Sequence, residues 1–290
     1  MTTDAHITSV ADRLLAAYDG AYLIDLPSAQ PPGLTLTQAY AVSQRIAQLR
    51  QARGERRVGW KIGFTNRSIW ARYGVDAPVW APVWSSTAAL IGGDGGSGGR
   101  SADGNTNNNN HSEMTLSLAG LSQPRLEPEI VFGFEQAPRA GMALHELQAC
   151  INWVAHGFEI VHTHYADWRF TPPDAVADLG LHGRLCIGPR VPVQGWAMLA
   201  ADLSALQVEL LQGGVVKDQG RGAVVLDGPL HALRHWINTM AVTTPWWQVA
   251  AGDWVTTGTI TDAWPLLPGQ CWQTQLSDLR LSALTLRTVA

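Results

Sequence analysis

The sequence predicts an α+β fold in which a helical first quarter precedes a mainly β remainder. Two amphipathic helical patterns occupy the chain before residue 55, and beyond residue 184 short Val- and Leu-rich segments alternate with Gly and Pro turns. No regular β-α-β alternation, Gly-rich phosphate loop or internal repeat is visible, which disfavours a nucleotide-binding fold. With 290 residues, 46% of them hydrophobic, the chain can bury one large core, with or without a small extension.

Two helices are expected near the N-terminus. The first covers residues 7–18, whose apolar side chains share one helical face, and Gly20 follows as its stop. After a Pro-rich turn, Thr37 is expected to cap a second helix, which carries apolar residues as far as residue 49 and ends at Gly54.

Four further elements follow from local patterns. Residues 58–64 are apolar and punctuated by glycine, with Lys61 as their single charge, and predict a buried strand. Residues 126–134 predict a second strand. Apolar positions three and four apart over residues 144–156 predict a helix, and a Pro-started helix is expected near residues 229–240.

Residues 92–114 consist almost entirely of Gly, Asn, Ser and Asp, including four consecutive Asn at 107–110. Such a composition cannot bury enough apolar surface to order itself, so a flexible loop is predicted. A lid over a site is the alternative, because long loops in compact domains are often functional. The loop, however, offers no apolar anchor with which to close.

The charge and the cysteines restrict the partners and the compartment. A formal net charge of -4 without any run of Lys or Arg argues against nucleic acid and anionic membranes, so a small ligand is expected. Three widely spaced cysteines in apolar segments fit reduced thiols and a cytoplasmic location. The N-terminus lacks a basic start followed by an apolar run, and no stretch approaches the ~20 apolar residues that span a bilayer.

Three glutamates are the strongest functional signal. Residues two apart share a strand face, so Glu127 and Glu129 project together at the point where their strand enters the core. Glu159 begins another apolar segment, Ile160-Val161, so it too is expected at the start of a buried strand. Carboxylates this close require either a raised pKa or a cation, and an all-oxygen set selects a hard ion such as Mg²⁺ or Mn²⁺. An isolated Glu-x-Glu pair is often only a polar strand edge, but the third acid favours a metal site.

Lys61 is the second signal, because a lone cation in an apolar strand either extends to water or faces an anion. If Lys61 faces the glutamates, it can hold a substrate carboxylate or transfer a proton. His162 and His164 alternate along the chain, but no third His or Cys is spaced to complete a zinc site. No nucleophile signature supports acyl-enzyme chemistry.

At these residues the chain resembles the fumarylacetoacetate hydrolase superfamily, and most closely its 2-keto-4-pentenoate hydratase and 4-oxalocrotonate decarboxylase branch. The resemblance runs from the second helix to the C-terminus, and its specificity comes from the shared order of motifs that are weak singly. The motifs are GWKIGFT at 59–65, GVDAP at 74–78, RLEPEI at 125–130, FEIV at 158–161, PDAVAD at 173–178, AGD at 251–253, TGT at 257–259 and LPG at 267–269.

The resemblance implies an α+β fold with a rolled mixed β-sandwich core and a smaller N-terminal helical part. Residues 1–84 would form the helical part with the first strand, and residues 85–290 the catalytic core. The resemblance also implies a homo-oligomer and a small 2-oxo or enol acid substrate.

The same resemblance assigns roles to individual residues. A magnesium or manganese ion is expected on Glu127, Glu129 and Glu159. Lys61 matches the active-site lysine, in substrate binding or proton transfer, and Asp178 and Thr259 fall in motifs expected to bind substrate.

Two departures bear on the reaction. Val79 stands where the hydratases usually carry an acid after the Pro of the GVDAP turn, so a proton-transfer group is missing. The usual Asp-Asn-Ala-Ser run is replaced by residues 178–181, followed by His182. His182 is either an ordinary loop residue or, as we predict, a catalytic acid or base that replaces the lost polar group.

The predicted function is a metal-dependent hydratase of 2-hydroxypenta-2,4-dienoate or a related acid, as in the degradation of aromatic compounds. The enzymatic alternatives are decarboxylation of a 4-oxalocrotonate-like acid and hydrolysis of an acylpyruvate. A metal- or ligand-binding homologue that has lost catalysis is the alternative from another class.

Overall fold

The computed structural model describes residues 3–91 and 111–290. Most of the predicted flexible loop, residues 92–110, lies outside the described residues. The prediction of a loop was wrong for residues 111–114, because they begin a strand that pairs in parallel with the C-terminal strand. No helix within the described ranges is both long and apolar enough to cross a membrane.

The α-helices confirm the helical first quarter. They are α1 (Thr3–Gly20), α2 (Leu36–Ala52), α3 (Trp70–Tyr73), α4 (Leu144–Ala149), α5 (Pro172–Ala177), α6 (Leu199–Ala205) and α7 (Pro229–Thr243). The cap of α2 is Thr35 rather than the predicted Thr37: its hydroxyl accepts from the Gln38 amide while the Gln38 side chain accepts from the Thr35 amide. This reciprocal pair satisfies donors that a helix start leaves free.

The strands are short and lie mostly in the second half of the chain. They are β1 (Arg57–Gly63), β2 (Val79–Trp84), β3 (Ala88–Leu90), β4 (His111–Ser117), β5 (Arg125–Phe134), β6 (Ile151–Val161), β7 (His182–Ile187), β8 (Val191–Pro192), β9 (Gln207–Gln212), β10 (Val215–Arg221), β11 (Trp254–Thr256), β12 (Trp264–Pro265), β13 (Cys271–Leu276) and β14 (Ala283–Val289).

Within the described ranges the strands form two mixed sheets. The first has nine strands, seven of them in the order β2-β1-β11-β5-β6-β7-β3, with β12 on β5 and β8 on β6; the second has five, in the order β10-β9-β13-β14-β4. Both contain parallel and antiparallel pairs. The rolled mixed β-sandwich of an α+β fold is thereby confirmed. The proposed division after residue 84 stays a prediction.

One apolar layer fills the space between the sheets. Leu126 and Phe158 of the first sheet share it with Trp272 and Leu284 of the second, and all four are fully or almost fully buried. A second, larger cluster packs the helices against the same side of the nine-stranded sheet, at Ile130 and Phe132 of β5 and Val154 of β6. A third cluster, around Val131 and Ala155, covers the opposite side. Because β5 and β6 are covered on both faces, any charge on them lies in low dielectric.

The predicted helix over residues 144–156 was wrong beyond its first turns. The α-helix ends at Ala149, and Ile151–Val161 form β6 between β5 and β7. Residues such as Trp153 and Val154 favour a strand, and a strand buried on both faces places apolar residues at every position, including those three and four apart. As a result, Glu159 lies near the end of a strand rather than at its start.

Candidate metal and substrate site

Strand register brings the three glutamates together. In the antiparallel pair of β5 and β6, Glu127 lies directly opposite Glu159, and Glu129 is two pairs further along, opposite Gly157. One carboxylate oxygen from each glutamate lies within 4.8 Å of the others. Glu129 and Glu159 are completely buried, whereas Glu127 is partly exposed. The same face of two neighbouring strands therefore presents three acids to one point.

The segment after β11 fixes Glu129. Its Oε2 accepts hydrogen bonds from the Thr256 hydroxyl and from the Gly258 amide, the latter at 2.7 Å. Gly258 has φ of 105°, and a Cβ there would lie 1.8 Å from Thr65 Oγ1. Only glycine fits this close approach, which explains its place in the Thr257-Gly258-Thr259 motif.

Glu159 is held by two cationic or polar groups. Its Oε1 accepts from His182 Nδ1 at 3.0 Å, and its Oε2 lies 3.2 Å from Lys61 Nζ. The second ring nitrogen of His182 lies 2.9 Å from Thr87 Oγ1. Burial lowers the pKa of His182 despite the neighbouring carboxylate, so the neutral ring carries its proton on Nδ1 and accepts from Thr87.

Lys61 reaches into the site from β1. Its Nζ donates to the Gly180 carbonyl at 2.9 Å. Gly180 belongs to a left-handed turn in which Leu179, Gly180 and Leu181 have φ of 51°, 62° and 65°. The turn directs this carbonyl at the ammonium. Burial alone would lower the pKa of Lys61, but the glutamates, Glu159 first, outweigh it and raise the pKa, so Lys61 is charged.

The acids have unequal proton affinities. Burial, together with the charges of Glu159 and Glu127, raises the pKa of Glu129 well above its ordinary value. Burial also raises the pKa of Glu127, to about 7, although Lys61 opposes it. For Glu159, Lys61 and His182 outweigh burial, and the pKa is lowered. Lys61 therefore acts on all three acids, with Arg125 as a weaker second cation near Glu127.

These residues fit a divalent cation. Glu129 Oε1 is buried and has no hydrogen-bond partner among the described residues, although its sister oxygen has two. A buried acceptor left in this way is costly unless a ligand completes it. Three carboxylates with no nitrogen or sulfur donor suit a hard ion. Glu127, Glu129 and Glu159 would hold it.

A cavity of about 250 Å³ opens beside the glutamates. Its polar lining residues are Lys61, Thr65, Asn66, Arg125, Glu127, Thr259, Thr261 and Asp262. Its larger apolar and aromatic lining residues are Phe64, Ile69, Tyr73, Val79, Val161, Trp168, Phe170 and Leu181. The cavity thus combines a charged end with apolar surface, as small-molecule sites commonly do.

The predicted substrate-binding residues lie in different places. Thr259 lines the cavity, and its hydroxyl donates to the Thr261 carbonyl at 2.8 Å. Asp178 is buried away from the cavity lining, and its carboxylate accepts from the backbone and the ring of His164. His182 is also absent from the lining and lies behind Glu159.

The residues that hold the predicted site residues in place could not be identified from the sequence. Gly180 and Thr87 contact the site only because a turn and a strand end come together in space. Neither has a local signal. Thr256 and Gly258 were partly indicated, since Thr256 precedes the Thr257-Gly258-Thr259 motif and Gly258 belongs to it.

Comparison with known proteins supports the same family. No family model matches the chain. A 2-keto-4-pentenoate hydratase from Burkholderia vietnamiensis is 31% identical over 262 residues, which are 90% of this chain and 89% of that protein. A 2-hydroxyhexa-2,4-dienoate hydratase from Comamonas testosteroni is 29% identical over 243 residues, 83% of each chain. The solved structure of 4-oxalocrotonate decarboxylase from Pseudomonas putida G7, complexed with magnesium and adipate, matches with a TM-score of 0.84 at 24% identity, covering 100% of this chain and 99% of that one.

The rolled mixed β-sandwich is the fold of the fumarylacetoacetate hydrolase superfamily, and in this chain it carries a glutamate triad beside a buried lysine. The chain belongs to the 2-keto-4-pentenoate hydratase family, which also has 4-oxalocrotonate decarboxylases among its relatives, as the relative that is 31% identical along 90% of the chain shows. The family resemblance inferred from the sequence motifs is thus confirmed.

Proposed function

We propose that this protein is a magnesium- or manganese-dependent hydratase of 2-hydroxypenta-2,4-dienoate or a closely related 2-oxo or enol acid. The observation that carries the proposal is the buried triad of Glu127, Glu129 and Glu159, with an unpartnered oxygen on Glu129 and the Lys61 ammonium 3.2 Å from Glu159. Two relatives that align along most of the chain are named as hydratases of such acids. We further propose a cytoplasmic homo-oligomer, as expected for the family.

The charged end of the cavity would bind the acid end of the substrate. Glu127, Glu129 and Glu159 would hold a divalent cation, which would supply Lewis-acid polarisation of the acid end when bound. Lys61 lines the same cavity and adds a positive charge beside the triad. Because Glu159 and the Gly180 carbonyl hold the ammonium from two sides, its direction is set before substrate arrives.

Hydration adds a proton and a hydroxide across the conjugated chain, so the site needs a proton donor. Of the described residues that line the cavity, Lys61 is a charged donor buried next to the triad. Val79, where the family resemblance predicts an acid, is apolar, and its Cγ2 would lie 3.5 Å from a Cβ at Gly63, the same distance as Lys61 Nζ. The position of the missing acid is therefore close to Lys61, which we propose as the proton donor.

His182 and Asp178 receive positioning roles in this proposal. Both ring nitrogens of His182 are engaged, one by Glu159 and one by Thr87, so His182 orients a carboxylate of the triad. Asp178 precedes the left-handed turn and binds His164, so it supports the turn that carries Gly180.

Turnover assays separate hydration from its alternatives. Protein freed of metal with a chelator and reloaded with Mg²⁺ or Mn²⁺ is given 2-hydroxypenta-2,4-dienoate, 4-oxalocrotonate or an acylpyruvate. We expect metal-dependent formation of a 4-hydroxy-2-oxo acid from the first. Carbon dioxide release from the second at a higher kcat/KM would establish decarboxylation instead. Metal binding without turnover of any acid would favour a binding protein.

A further inference from the structure

One wall of the cavity is a continuous aromatic surface, here called the aromatic wall and formed by Phe64, Tyr73, Phe170 and Trp168. The ring centroids of Phe64 and Tyr73 are 5.3 Å apart, those of Tyr73 and Phe170 are 6.0 Å apart and stacked, and those of Phe170 and Trp168 are 6.2 Å apart. All four residues line the cavity. Such a surface suits a flat, apolar group.

The backbone holds part of this wall in an unfavourable conformation. Phe64 has φ of 54° and Trp168 has φ of 57°, and Leu181, which also lines the cavity, has φ of 65°. Residues with a Cβ rarely adopt these values, and they persist only where the surroundings enforce them. The indole of Trp70 donates to the Phe64 carbonyl at 2.7 Å, and the indole of Trp168 donates to the Gln123 carbonyl at 3.0 Å. These bonds fix the two strained residues with their side chains on the cavity.

The positive charges of the lining belong to the triad end. Among the described lining residues the cations are Lys61 and Arg125. Lys61 is engaged by Glu159 and Gly180. Arg125 lies two residues before Glu127 on the same strand face, and its guanidinium lies 4.1 Å from the centre of the Trp168 ring. Both cations therefore already have partners, and Arg125 lies where the charged end meets the aromatic wall.

We propose, building on the proposed function, that the aromatic wall is the subsite for the substrate's tail and that it selects a neutral, planar, unsaturated tail over a second carboxylate. A conjugated chain is flat and can lie against the rings while its acid end reaches the triad. A terminal carboxylate at the wall would lose its water, and among the described lining residues it would meet only Lys61 and Arg125, which already have partners, so its burial is costly. Val79 and Leu181 extend the apolar surface.

A matched series of substrates tests the selection. The series keeps the 2-hydroxypenta-2,4-dienoate skeleton and carries hydrogen, methyl, phenyl or carboxylate on C5, and kcat/KM is measured with magnesium-loaded protein. We expect the methyl and phenyl compounds to exceed the carboxylate compound by at least about tenfold, mainly through KM. A carboxylate compound as good as or better than the methyl compound would overturn the proposal.

Binding measurements keep this test separate from the proposed function. The affinities of 5-phenyl-2-oxopentanoate and 2-oxohexanedioate for the magnesium-loaded protein are compared by calorimetry, which requires no turnover. Tighter binding of the phenyl acid supports the tail subsite even if no dienoate is hydrated, whereas tighter binding of the diacid contradicts it. Absence of turnover with every dienoate would count against the hydratase alone.

Amino-acid substitutions test whether the aromatic wall is responsible for selecting the substrate's tail. Phe170→Leu keeps an apolar side chain but removes a ring, and we expect the ratio of kcat/KM for the phenyl compound to that for the unsubstituted compound to fall by about tenfold. Trp246→Ala is the matched control, because Trp246 is a half-exposed aromatic residue that does not line this cavity. An unchanged ratio in Phe170→Leu, or an equal fall in Trp246→Ala, would show that the wall does not select the tail.

Discussion

Glu127 and Glu159 lie directly opposite each other on β5 and β6, and Glu129 lies two residues beyond Glu127 on the same face of β5. Like charges directly opposite in a sheet are destabilising, and burial strengthens the repulsion. Lys61 compensates part of it from β1. The sheet therefore holds these acids in an arrangement that costs stability by itself and becomes favourable when a cation binds.

Replacing Glu129 by Gln should separate stability from function. The amide oxygen can still accept from Thr256 and Gly258, while one buried charge disappears. We expect metal-free Glu129→Gln to gain ~1–2 kcal/mol, which is about 2–8 °C in Tm for a chain of this size. Calorimetry should also show that magnesium no longer raises Tm.

The control for this variant is Glu135→Gln, which removes an exposed charge just beyond β5. It should leave Tm, magnesium binding and turnover unchanged. If Glu129→Gln retained magnesium stabilisation and full activity, the triad would not be the metal site.

Magnesium binding should strengthen as the pH rises through about 7. The pKa of Glu127 is raised from 4.5 to about 7 in the metal-free protein, so below that pH a proton competes with the ion. We expect the metal-induced rise in Tm to be small near pH 5 and to grow up to about pH 8. Differential scanning calorimetry with and without magnesium measures this difference.

The difference between Tm with magnesium and Tm without it is more informative than the stability of the metal-free protein alone. The raised pKa of Glu127 makes its contribution to folding stability fall as pH rises from 4.5 to about 7. Burial lowers the pKa of His156 to about 4, so its contribution rises between about 4 and 6.5. Because His156 contributes equally with and without magnesium, its contribution cancels in the difference between the two Tm values. A metal effect independent of pH from 5 to 8 would rule out a protonated carboxylate at the site.

The sequence predicted the composition of the triad better than its geometry. Glu127 and Glu129 were placed on one face because strand periodicity is local. Glu159 was identified as a partner and correctly placed in a strand, but at the start of that strand rather than near its end, since the apolar spacing before it fits a helix as well as a doubly buried strand. Register with Glu127 is a property of two strands and cannot be read from either one alone.

The residues that surround the triad could not be predicted from the sequence for a related reason. His182 was expected to act on substrate because its loop differs from the usual family pattern, but hydrogen bonds place it between Glu159 and Thr87. Which neighbour a buried imidazole meets depends on tertiary packing. The aromatic wall likewise joins residues from two distant segments, around Phe64 and around Phe170, that share no pattern in the chain.

Replacing Lys61 by Met should remove proton transfer while leaving the triad. At saturating magnesium we expect kcat to fall by about 10²–10⁴, the usual range for loss of a general acid or base. Loss of the ammonium leaves Glu159 without its ion pair, so the metal-free variant should also be less stable and should recover with magnesium.

The chain's other lysine provides the matched control. Lys217 is exposed on β10, so Lys217→Met should match the parent protein in kcat, KM and Tm. A Lys61→Met enzyme that retained kcat and changed only KM would assign Lys61 to substrate binding instead of proton transfer.

His182 variants distinguish a positioning residue from an acid or base in contact with substrate. His182→Asn keeps a donor near the position of Nδ1 and can still bind Glu159, whereas His182→Leu cannot. For a positioning role we expect His182→Leu to weaken magnesium binding by about 10- to 100-fold and to regain most of its kcat at saturating magnesium. His182→Asn should bind magnesium nearly as the parent protein does, because the conservative variant restores the bond to Glu159. Calorimetric titration with magnesium and kcat at saturating metal supply the two readouts. A loss of kcat by 10² or more in both variants, with magnesium affinity unchanged, would instead support the direct acid or base role predicted from the sequence, since an amide cannot exchange the proton.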